Sequence, residues 1–446
     1  MAEAASRTKA LAATAGVIAA AGLAGAAGTP AAADASPRAG VTTRVSVSST
    51  GEQANSYSSE TSISADGRYV AFQSFASNLV VGDTNGAPDV FVRDLGAGST
   101  QRVSVRTNGG QANDGSYFPA ISADGRYVAF QSFASNLAVG DTNGASDVFV
   151  RDLVAGTTQR VSVRTDGGQA NGGSYVPAIS TDGGSVAFHS HATNLVAGDT
   201  NDEVDVFVRD LAAGTTRRVS VRTGGGQANS DSYFPAISGD GRYVAFQSSA
   251  ANLVADDTND KVDVYVRDRV AGTTSRVSVG RGGRQSRGNS QYPAISADGR
   301  YVAFASFAGN LAPGDTNHVQ DVFVRNLVAE KTRRVSVGPD GQQADHGSHS
   351  ATIAANGRRV AFTSDATNLV TGDTNDLPDV FVRDWRAGTT RLVSVDSNGL
   401  QANGYSANPA ISADGRYVAF GSEASNLVPA DTNRDLDVFV RTRALQ

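Results

Sequence analysis

Apolar residues in this chain fall into short runs that return at a fixed interval. The isoleucine of "ISADGRYVAF" and its variants stands at positions 63, 121, 179, 237, 295, 353 and 411, so that each step is 58 residues. Seven copies of constant length predict a closed array in which every copy folds as one structural repeat.

Each copy contains four short runs rich in Val, Phe, Tyr and Ile, separated by Gly, Asp, Asn and Thr. Runs such as "YVAF" place apolar residues on both faces, which suits a sheet packed between two neighbours. Residues 44–442 show no sustained helical period, so we expect few helices. The pattern predicts an all-β, seven-bladed β-propeller over residues 44–442, with four-stranded antiparallel blades. In the second copy the strands are "YFPAIS" (117–122), "YVAFQS" (127–132), "DVFVRDL" (147–153) and "QRVSVRT" (159–165).

The residue numbers also predict how the ring closes. The run "RVSV" begins at Arg44 and recurs every 58 residues, with "LVSV" at Leu392, but no copy of it follows "DVFVR" at 437–441. The seventh copy therefore lacks its outermost strand, and the run at 44–47 lies in register to supply it. We expect this N-terminal strand to close the last blade, because pairing there removes an open sheet edge.

The repeat resembles a known family. "ISADGRYVAFQS" followed by "NDEVDVFVRDL" is similar to the WD40-like (PD40) repeat of TolB-type β-propellers, in which an Ile-Ser-x-Asp-Gly turn feeds a Val-Ala-Phe strand and an Asp-Val-Phe-Val strand ends near Arg-Asp. All seven copies match this pattern. The resemblance implies a propeller that serves as a binding platform, and it implies no particular ligand.

The first 33 residues differ from the repeats. Arg7 and Lys9 precede an apolar run rich in Ala and Gly, and small residues near Ala33 suit a signal peptidase. We expect residues 1–33 to be a cleaved signal peptide, residues 34–43 to be a short linker, and the mature protein to be secreted. No segment of the mature chain is apolar enough to cross a bilayer.

Charge and composition narrow the function classes. The formal net charge is −6 with both signs interspersed, so nucleic acid is not an expected partner. The chain has no cysteine, which excludes disulfides, thiolate metal sites and cysteine nucleophiles. We expect a monomeric, non-enzymatic binding protein for a protein, peptide or glycan. The rival hypothesis is a secreted hydrolase or lyase with its site at the mouth of the channel.

The loop between the second and third strands carries D-T-N-x-x-x-D in every copy. Oxygen side chains at positions 1, 3 and 7 resemble the opening of a calcium loop, but the terminal bidentate Glu is missing. One interpretation is that Asp and Asn cap the turn and pair with backbone or arginine. The alternative is calcium in the two copies that add a fourth oxygen side chain; no other cofactor is expected. These candidate ligands are Asp199, Asn201, Glu203 and Asp205 in copy three, and Asp431, Asn433, Asp435 and Asp437 in copy seven.

Positions that differ between copies are better candidates for a specific site than positions that repeat seven times. With strands a to d counted outward, the long b–c and d–a loops share one face, which we call the loop face. At the channel mouth on this face, the start of strand a is partly aromatic and partly polar. The candidate ligand-binding residues there are Glu60, Tyr117, Tyr175, Tyr233, Gln291, Tyr292 and His349.

Such a mouth would stack a sugar ring or seat a peptide side chain, with Glu60 and His349 as polar anchors. In the rival hydrolase or lyase the same two residues would be the acid and base. A third interpretation is that the tyrosines only wedge neighbouring blades apart.

Overall fold

The structure, a computed structural model, describes residues 40–443. The expected signal peptide and residues 34–39 of the expected linker lie outside the described residues. Seven separate antiparallel sheets of four strands each make up the described chain, which confirms the seven-bladed β-propeller. We number the blades 1 to 7 by their innermost strands in chain order.

The strands occupy equivalent positions in all seven blades, and first strands of neighbouring blades contact one another around the axis. The a strands are β2 Ser58–Ile63, β6 Ser116–Ile121, β10 Ser174–Ile179, β14 Ser232–Ile237, β18 Ser290–Ile295, β22 Ser348–Ile353 and β26 Ser406–Ile411. The b strands are β3 Tyr69–Ser74, β7 Tyr127–Ser132, β11 Ser185–Ser190, β15 Tyr243–Ser248, β19 Tyr301–Ser306, β23 Arg359–Ser364 and β27 Tyr417–Ser422.

The outer half of each blade holds strands c and d. The c strands are β4 Asp89–Asp94, β8 Asp147–Asp152, β12 Asp205–Asp210, β16 Asp263–Asp268, β20 Asp321–Asn326, β24 Asp379–Asp384 and β28 Asp437–Thr442. The d strands are β5 Ser99–Arg102, β9 Thr157–Arg160, β13 Thr215–Arg218, β17 Thr273–Arg276, β21 Lys331–Arg334, β25 Thr389–Leu392 and, for blade 7, β1 Thr42–Arg44. Two short 3₁₀ turns, Arg281–Gly283 and Pro339–Gly341, are the only helical elements within residues 40–443. Neither is long enough to span a membrane.

The predicted bounds of the outermost strand are wrong. In blade 2 the strand is Thr157–Arg160, whereas the apolar run suggested 159–165. After Arg160 the amide of Val161 still donates to the carbonyl of Val148, but the Ser162 hydroxyl turns inward and donates to the Asp147 carboxylate. The "VSV" residues therefore begin the d–a loop, and their apolar side chains are buried, Val161 in the cluster between blades 2 and 3.

The predicted closure of the ring is confirmed. Strand β1 pairs antiparallel with β28, with Thr42 opposite Arg441 and Arg44 opposite Phe439. The amide of Val45 extends the pairing by donating to the carbonyl of Val438 at 2.7 Å. Blade 7 therefore combines the two ends of the described chain in one sheet.

The core lies between the blades and not within them. One apolar cluster joins Ala71, Val90 and Val92 of blade 1 to Val128 and Phe130 of blade 2, and the pattern recurs around the ring. Because each sheet buries both faces against its neighbours, its strands are apolar on both sides.

The a–b turns close against one another on the face opposite the loop face. Each turn donates one backbone hydrogen bond, 2.9–3.1 Å long, to the carbonyl of the next blade's turn, and the last returns to the first. This amide circle consists of Ala65, Ala123, Thr181, Gly239, Ala297, Ala355 and Ala413. The turn glycine beside it has no room for a side chain, because a Cβ on Gly125 would lie 2.1 Å from Tyr69 Cδ2.

Candidate functional site

A β-bulge interrupts the innermost strand of every blade near the loop face. At the bulge one residue per blade has a left-handed backbone, with φ between 48° and 53°. This conformation costs roughly 1 kcal/mol or more for a residue with a Cβ, and such strain is concentrated at functional sites. We call these residues the bulge ring: Glu60, Phe118, Val176, Phe234, Tyr292, Ser350 and Asn408.

Hydrogen bonds from the preceding blade hold part of the bulge ring. Gln73 Oε1 accepts from the amide of Phe118 at 3.1 Å, and Gln131 Oε1 accepts from the amide of Val176 at 2.8 Å. The side chain of strand b thus fixes the backbone of the next blade's bulge. In blade 3 a histidine, His189, replaces this glutamine.

The bulge ring divides into two arcs. Blades 2 to 5 contribute Phe118, Val176, Phe234 and Tyr292, and the Phe234 and Tyr292 rings meet edge to face at 5.0 Å. Blades 6, 7 and 1 contribute Ser350, Asn408 and Glu60. We call these three residues, together with His349, Asp365 and Glu423 of blades 6 and 7, the polar arc. The predicted candidates Glu60 and Tyr292 therefore lie on one ring but in different arcs.

Glu60 is the buried carboxyl group of the polar arc. It is 6% exposed, and its hydrogen bond in this structure comes from Asn408 Nδ2, 3.5 Å from Glu60 Oε1. Burial raises the pKa of Glu60 to about 8, so the group holds a proton at neutral pH. The site therefore contains a carboxyl group that lacks a cation.

His349 lies one residue before the bulge ring in blade 6. Its Nδ1 is 2.9 Å from the Ser350 hydroxyl, and burial lowers the pKa of the imidazole, with Asp365 acting in the opposite direction. The neutral ring is therefore favoured. A neutral histidine and a protonated glutamate thus occupy the same polar arc, separated by blade 7.

The other predicted candidates lie at the rim, one residue before the bulge ring. Tyr117 packs edge to face on Phe133, with ring centres 6.2 Å apart. Tyr175 stacks on His189 at 5.8 Å, and Tyr233 reaches His189 from the next blade at 5.4 Å. Tyr175 and Tyr233 thus bridge blades 3 and 4 through His189, which fits the wedge interpretation for this pair. Gln291 lies opposite Ala305 and is half-buried.

Sequence reasoning missed the rim position that directly follows strand b. The residue at this position is aromatic in some blades and polar or acidic in others: Phe75, Phe133, His191, Ser249, Phe307, Asp365 and Glu423. Phe75, Phe133 and Phe307 are 44%, 42% and 53% exposed, which is unusual for phenylalanine. The same comparison between copies that identified Tyr117 would have identified this position.

The D-T-N loops are built around arginine. In blade 1, Arg102 Nη1 lies 3.1 Å from Asp83 and 3.0 Å from Asp89, and the Arg102 side chain is 10% exposed. Asn85 caps the turn by donating to the carbonyl of Ala112 at 3.1 Å and accepting from the amide of Ala87. The arginine of the "RVSV" run therefore forms ion pairs with both aspartates of the loop.

The predicted calcium ligands have the same partners. In copy three, Arg218 lies 2.9 Å from Asp199 and 2.8 Å from Asp205, while the Glu203 carboxyl group is hydrogen-bonded to that of Asp231 in the next d–a loop. Asn201 donates to the carbonyl of Ala228.

In copy seven, Arg44 lies 3.3 Å from Asp431 and 3.7 Å from Asp437, and Asn433 accepts from the amide of Asp435. Within residues 40–443 no group of three or more His, Asp or Glu side chains is arranged to hold a metal ion. These contacts favour the interpretation in which the loops are capped turns.

Blade 6 departs from this arrangement because Leu392 stands in place of the arginine. Gln401 Nε2 donates to Asp373 at 2.7 Å and to Asp379 at 2.8 Å, which leaves two carboxyl groups with no cation between them. Burial raises the pKa of the fully buried Asp379 to about 6, against the bonds from Ser394 and Gln401.

No protein-family model and no curated protein matches this sequence. Among solved structures, the fold is similar to the β-propeller domain of the Trilobed protease from Pyrococcus furiosus, with a TM-score of 0.53, 11% identity, and coverage of 88% of this chain and 96% of that chain. That domain is described as having an open velcro topology, whereas here β1 closes the last blade.

Two further solved structures match at lower TM-scores. Oligogalacturonate lyase in complex with manganese has a TM-score of 0.50 and 12% identity, covering 85% of this chain and 87% of that chain. TolB from Acinetobacter baumannii has a TM-score of 0.39 and 16% identity. The match covers 68% of this chain and 61% of the TolB chain, which is less than two thirds of the length of TolB. At these identities the likeness shows the propeller fold alone, which hosts both binding proteins and enzymes.

Proposed function

We propose that this protein is a secreted, monomeric and non-enzymatic propeller that binds a protein, peptide or glycan on its loop face, at the mouth of the channel. The observation that carries the proposal is the divided bulge ring. Seven strained backbones present different side chains at one end of the channel, with Phe118, Val176, Phe234 and Tyr292 facing a polar arc. Two of the exposed rim phenylalanines, Phe133 and Phe307, belong to blades 2 and 5 on the aromatic side of that surface, and the third, Phe75, belongs to blade 1.

The test is binding to peptide and glycan arrays by the purified protein and two matched variants. Phe133→Ser removes an exposed aromatic ring from the rim, and Val154→Ser removes an exposed apolar side chain from a c–d turn on the opposite face. We expect Phe133→Ser to reduce the array signals roughly tenfold, because an aromatic ring that a ligand buries contributes about 1–2 kcal/mol to binding. Val154→Ser should keep the signals. Equal signals from all three proteins, or no signals at all, would contradict the proposal.

Secretion is a separate part of the proposal. We expect the protein in the culture medium to begin near Asp34, because the small residues that end at Ala33 precede that point. N-terminal sequencing of the exported protein measures this directly. A product that keeps Arg7 and Lys9 would contradict it.

One observation favours the rival hydrolase or lyase. Glu60, with a pKa raised to about 8, and His349, with a lowered pKa, supply a proton donor and a proton acceptor in one polar arc. Esterase, lactonase, glycosidase and polysaccharide-lyase substrates test this rival. Turnover that disappears in Glu60→Gln or His349→Ala supports an enzyme, and turnover unchanged in both variants excludes these residues as its catalytic groups.

A further inference from the structure

We infer that the mouth of the channel accepts the guanidinium group of an arginine in a basic peptide, with Glu60 as its buried counter-ion. This inference rests on the proposed binding function and names the ligand chemistry of the same surface. It is carried by three observations: the charge balance of the polar arc, the aromatic side chains beside it, and the depth at which Glu60 lies.

The carboxyl groups of the polar arc lack cations. Glu60 is buried, while Asp365 and Glu423 are exposed at the rim of blades 6 and 7. Among residues 40–443, no lysine or arginine forms an ion pair with any of these three. In the same molecule, six of the seven D-T-N loops place an arginine between their aspartates, for example Arg102 between Asp83 and Asp89. The exposed Asp365 and Glu423 therefore lie at the mouth without a paired cation, and so does the buried carboxyl group of Glu60.

Two tyrosines connect these carboxyl groups. Burial raises the pKa of Tyr57, and Glu60 and Glu423 raise it further. Burial also raises the pKa of Tyr405 to about 12, with added contributions from Tyr57, Glu60, Asp365 and Glu423. The carboxyl groups of blades 6, 7 and 1 therefore share one electrostatic environment, which favours a ligand of positive charge.

Aromatic rings stand beside this negative region. Tyr57 packs edge to face on Phe75 at 6.1 Å in blade 1, and Tyr117 packs in the same way on Phe133 in blade 2. Exposed ring faces attract a guanidinium through cation–π contact and its planar stacking, and an anionic sugar acid or phosphate gains nothing from them. At the five positions that form the mouth in each blade, equivalent to 57, 59, 60, 73 and 75, no copy has Lys or Arg.

Because Glu60 lies below the rim, the site favours a ligand with a long side chain over a compact ion. Asp365 and Glu423 are exposed at the rim, whereas Glu60 lies below them in the bulge ring at 6% exposure. A peptide that rests on the rim reaches Glu60 only with a long cationic side chain, and arginine meets a carboxylate through two parallel hydrogen bonds. In the free protein Glu60 holds a proton. Binding displaces that proton to solvent and leaves a carboxylate–guanidinium pair.

The experiment compares two pools of fluorescein-labelled hexapeptides by fluorescence polarisation at pH 8.5. The first pool has arginine at one fixed position and excludes Lys, Asp and Glu elsewhere; the second has citrulline, which is isosteric and neutral, in place of arginine. We expect the arginine pool to bind at least tenfold more tightly, and the ratio to fall to about one in Glu60→Gln. Glu52→Gln is the matched control, because it removes an exposed carboxylate from a d–a loop of the same face, and it should keep the ratio.

Each remaining outcome has a definite meaning. Equal binding of the two pools, or a ratio unchanged in Glu60→Gln, overturns this inference while the proposed binding function stands on its array signals. Displacement of the arginine pool by spermidine at equal or lower concentration than by unlabelled peptide shows a free polyamine site and overturns the peptide assignment. If Glu60→Gln fails to fold by circular dichroism, Glu423→Gln, which alters only an exposed rim side chain, takes its place with an expected fall of roughly threefold in the ratio. No array signal and no pool binding would overturn both proposals together.

Discussion

Blade 6 and blade 1 hold the same two aspartates in the b–c loop, but only blade 1 places a guanidinium between them. Arg102 lies about 3 Å from Asp83 and from Asp89, whereas Leu392 occupies that place in blade 6. The loops nevertheless have the same cap: Asn375 donates to the carbonyl of Ala402 at 2.8 Å, as Asn85 does to Ala112 at 3.1 Å.

The comparison separates two roles that the sequence motif combines. Because the cap survives without the arginine, the asparagine and the backbone fix the shape of the loop, and the arginine compensates charge. Where it is missing, the effect appears at Asp379, whose pKa rises to about 6 with burial. The mouth of the channel repeats this situation with Glu60, whose pKa is likewise raised by burial with no cation paired to it.

The largest effect is expected from deleting residues 40–48. This removes β1, the arginine of blade 7 and the buried Val45 together, and it exposes the edge of β28. We expect a loss of at least about 5 kcal/mol in the free energy of unfolding, with aggregation at the open edge. The single substitution Arg44→Leu keeps β1 but removes the guanidinium, as in blade 6, where leucine stands at this position. It therefore separates the contribution of the charge from the contribution of the strand. Melting of the deletion variant at the temperature of the full chain would show that the ring is not held by β1.

Arg102→Leu should cost about 3 kcal/mol, because it leaves Asp83 and the fully buried Asp89 without a cation. Urea unfolding followed by circular dichroism measures the change. Arg68→Leu is the control in the same blade, since Arg68 pairs with Asp94 at 2.7 Å but is about half exposed; little change is expected there. Equal losses in the two variants would remove the distinction between buried and exposed pairs.

Leu392→Arg should stabilise blade 6 by about 2 kcal/mol at pH 7.5. The sign follows from Asp379: its pKa is raised in the folded state, so the protonated group stabilises the fold below pH 4 and that contribution is lost as the pH rises through about 6. An arginine at 392 lowers this pKa, so the decline in stability between pH 4 and pH 6 should flatten in the variant. Urea titrations at pH 5 and pH 7.5 measure both effects, and a variant that is less stable at pH 7.5 would contradict the analogy with Arg102.

The smallest effect is expected from chelation. Since Arg218 and Arg44 already occupy the position between the aspartates of copies three and seven, EDTA should shift the melting temperature by less than about 1 °C. A fall of several degrees that added calcium reverses would establish the calcium interpretation of these loops. The same titration on Leu392→Arg reports whether blade 6 contributes to any such shift.

The sequence predicted the architecture because seven equal copies repeat one pattern of strands and turns. The period of 58 residues, the four runs per copy and the in-register Arg44 segment lead directly to the blades and their closure. The end of the outermost strand was predicted wrongly because "VSV" is apolar for a reason other than pairing: Val161 and Val163 are buried, Val161 in the core between blades, while Ser162 binds Asp147.

The candidate site was predicted in part. Comparison between copies located the start of strand a and with it Glu60 and Tyr292, but nothing in "SYFPAI" indicates that Phe118 has a positive φ. Gln73 of another blade accepts from the amide of Phe118, but the same φ occurs at Glu60 and Ser350, where the preceding blades have Gly421 and Ala305 in place of the glutamine. The exposed Phe133 was missed because it follows a buried strand, where an apolar residue looks like core.

The amide circle has a mechanical consequence for the loop face. Each of its seven bonds spans one seam between blades, at the end of the channel remote from Glu60 and Tyr292. A ligand that pushes two blades apart at the mouth tilts them about the amide circle, because a gap at that end must break one of its hydrogen bonds. The mouth of the channel can therefore widen through small tilts shared among all the blades, while the amide circle keeps the opposite end of the channel at a fixed circumference.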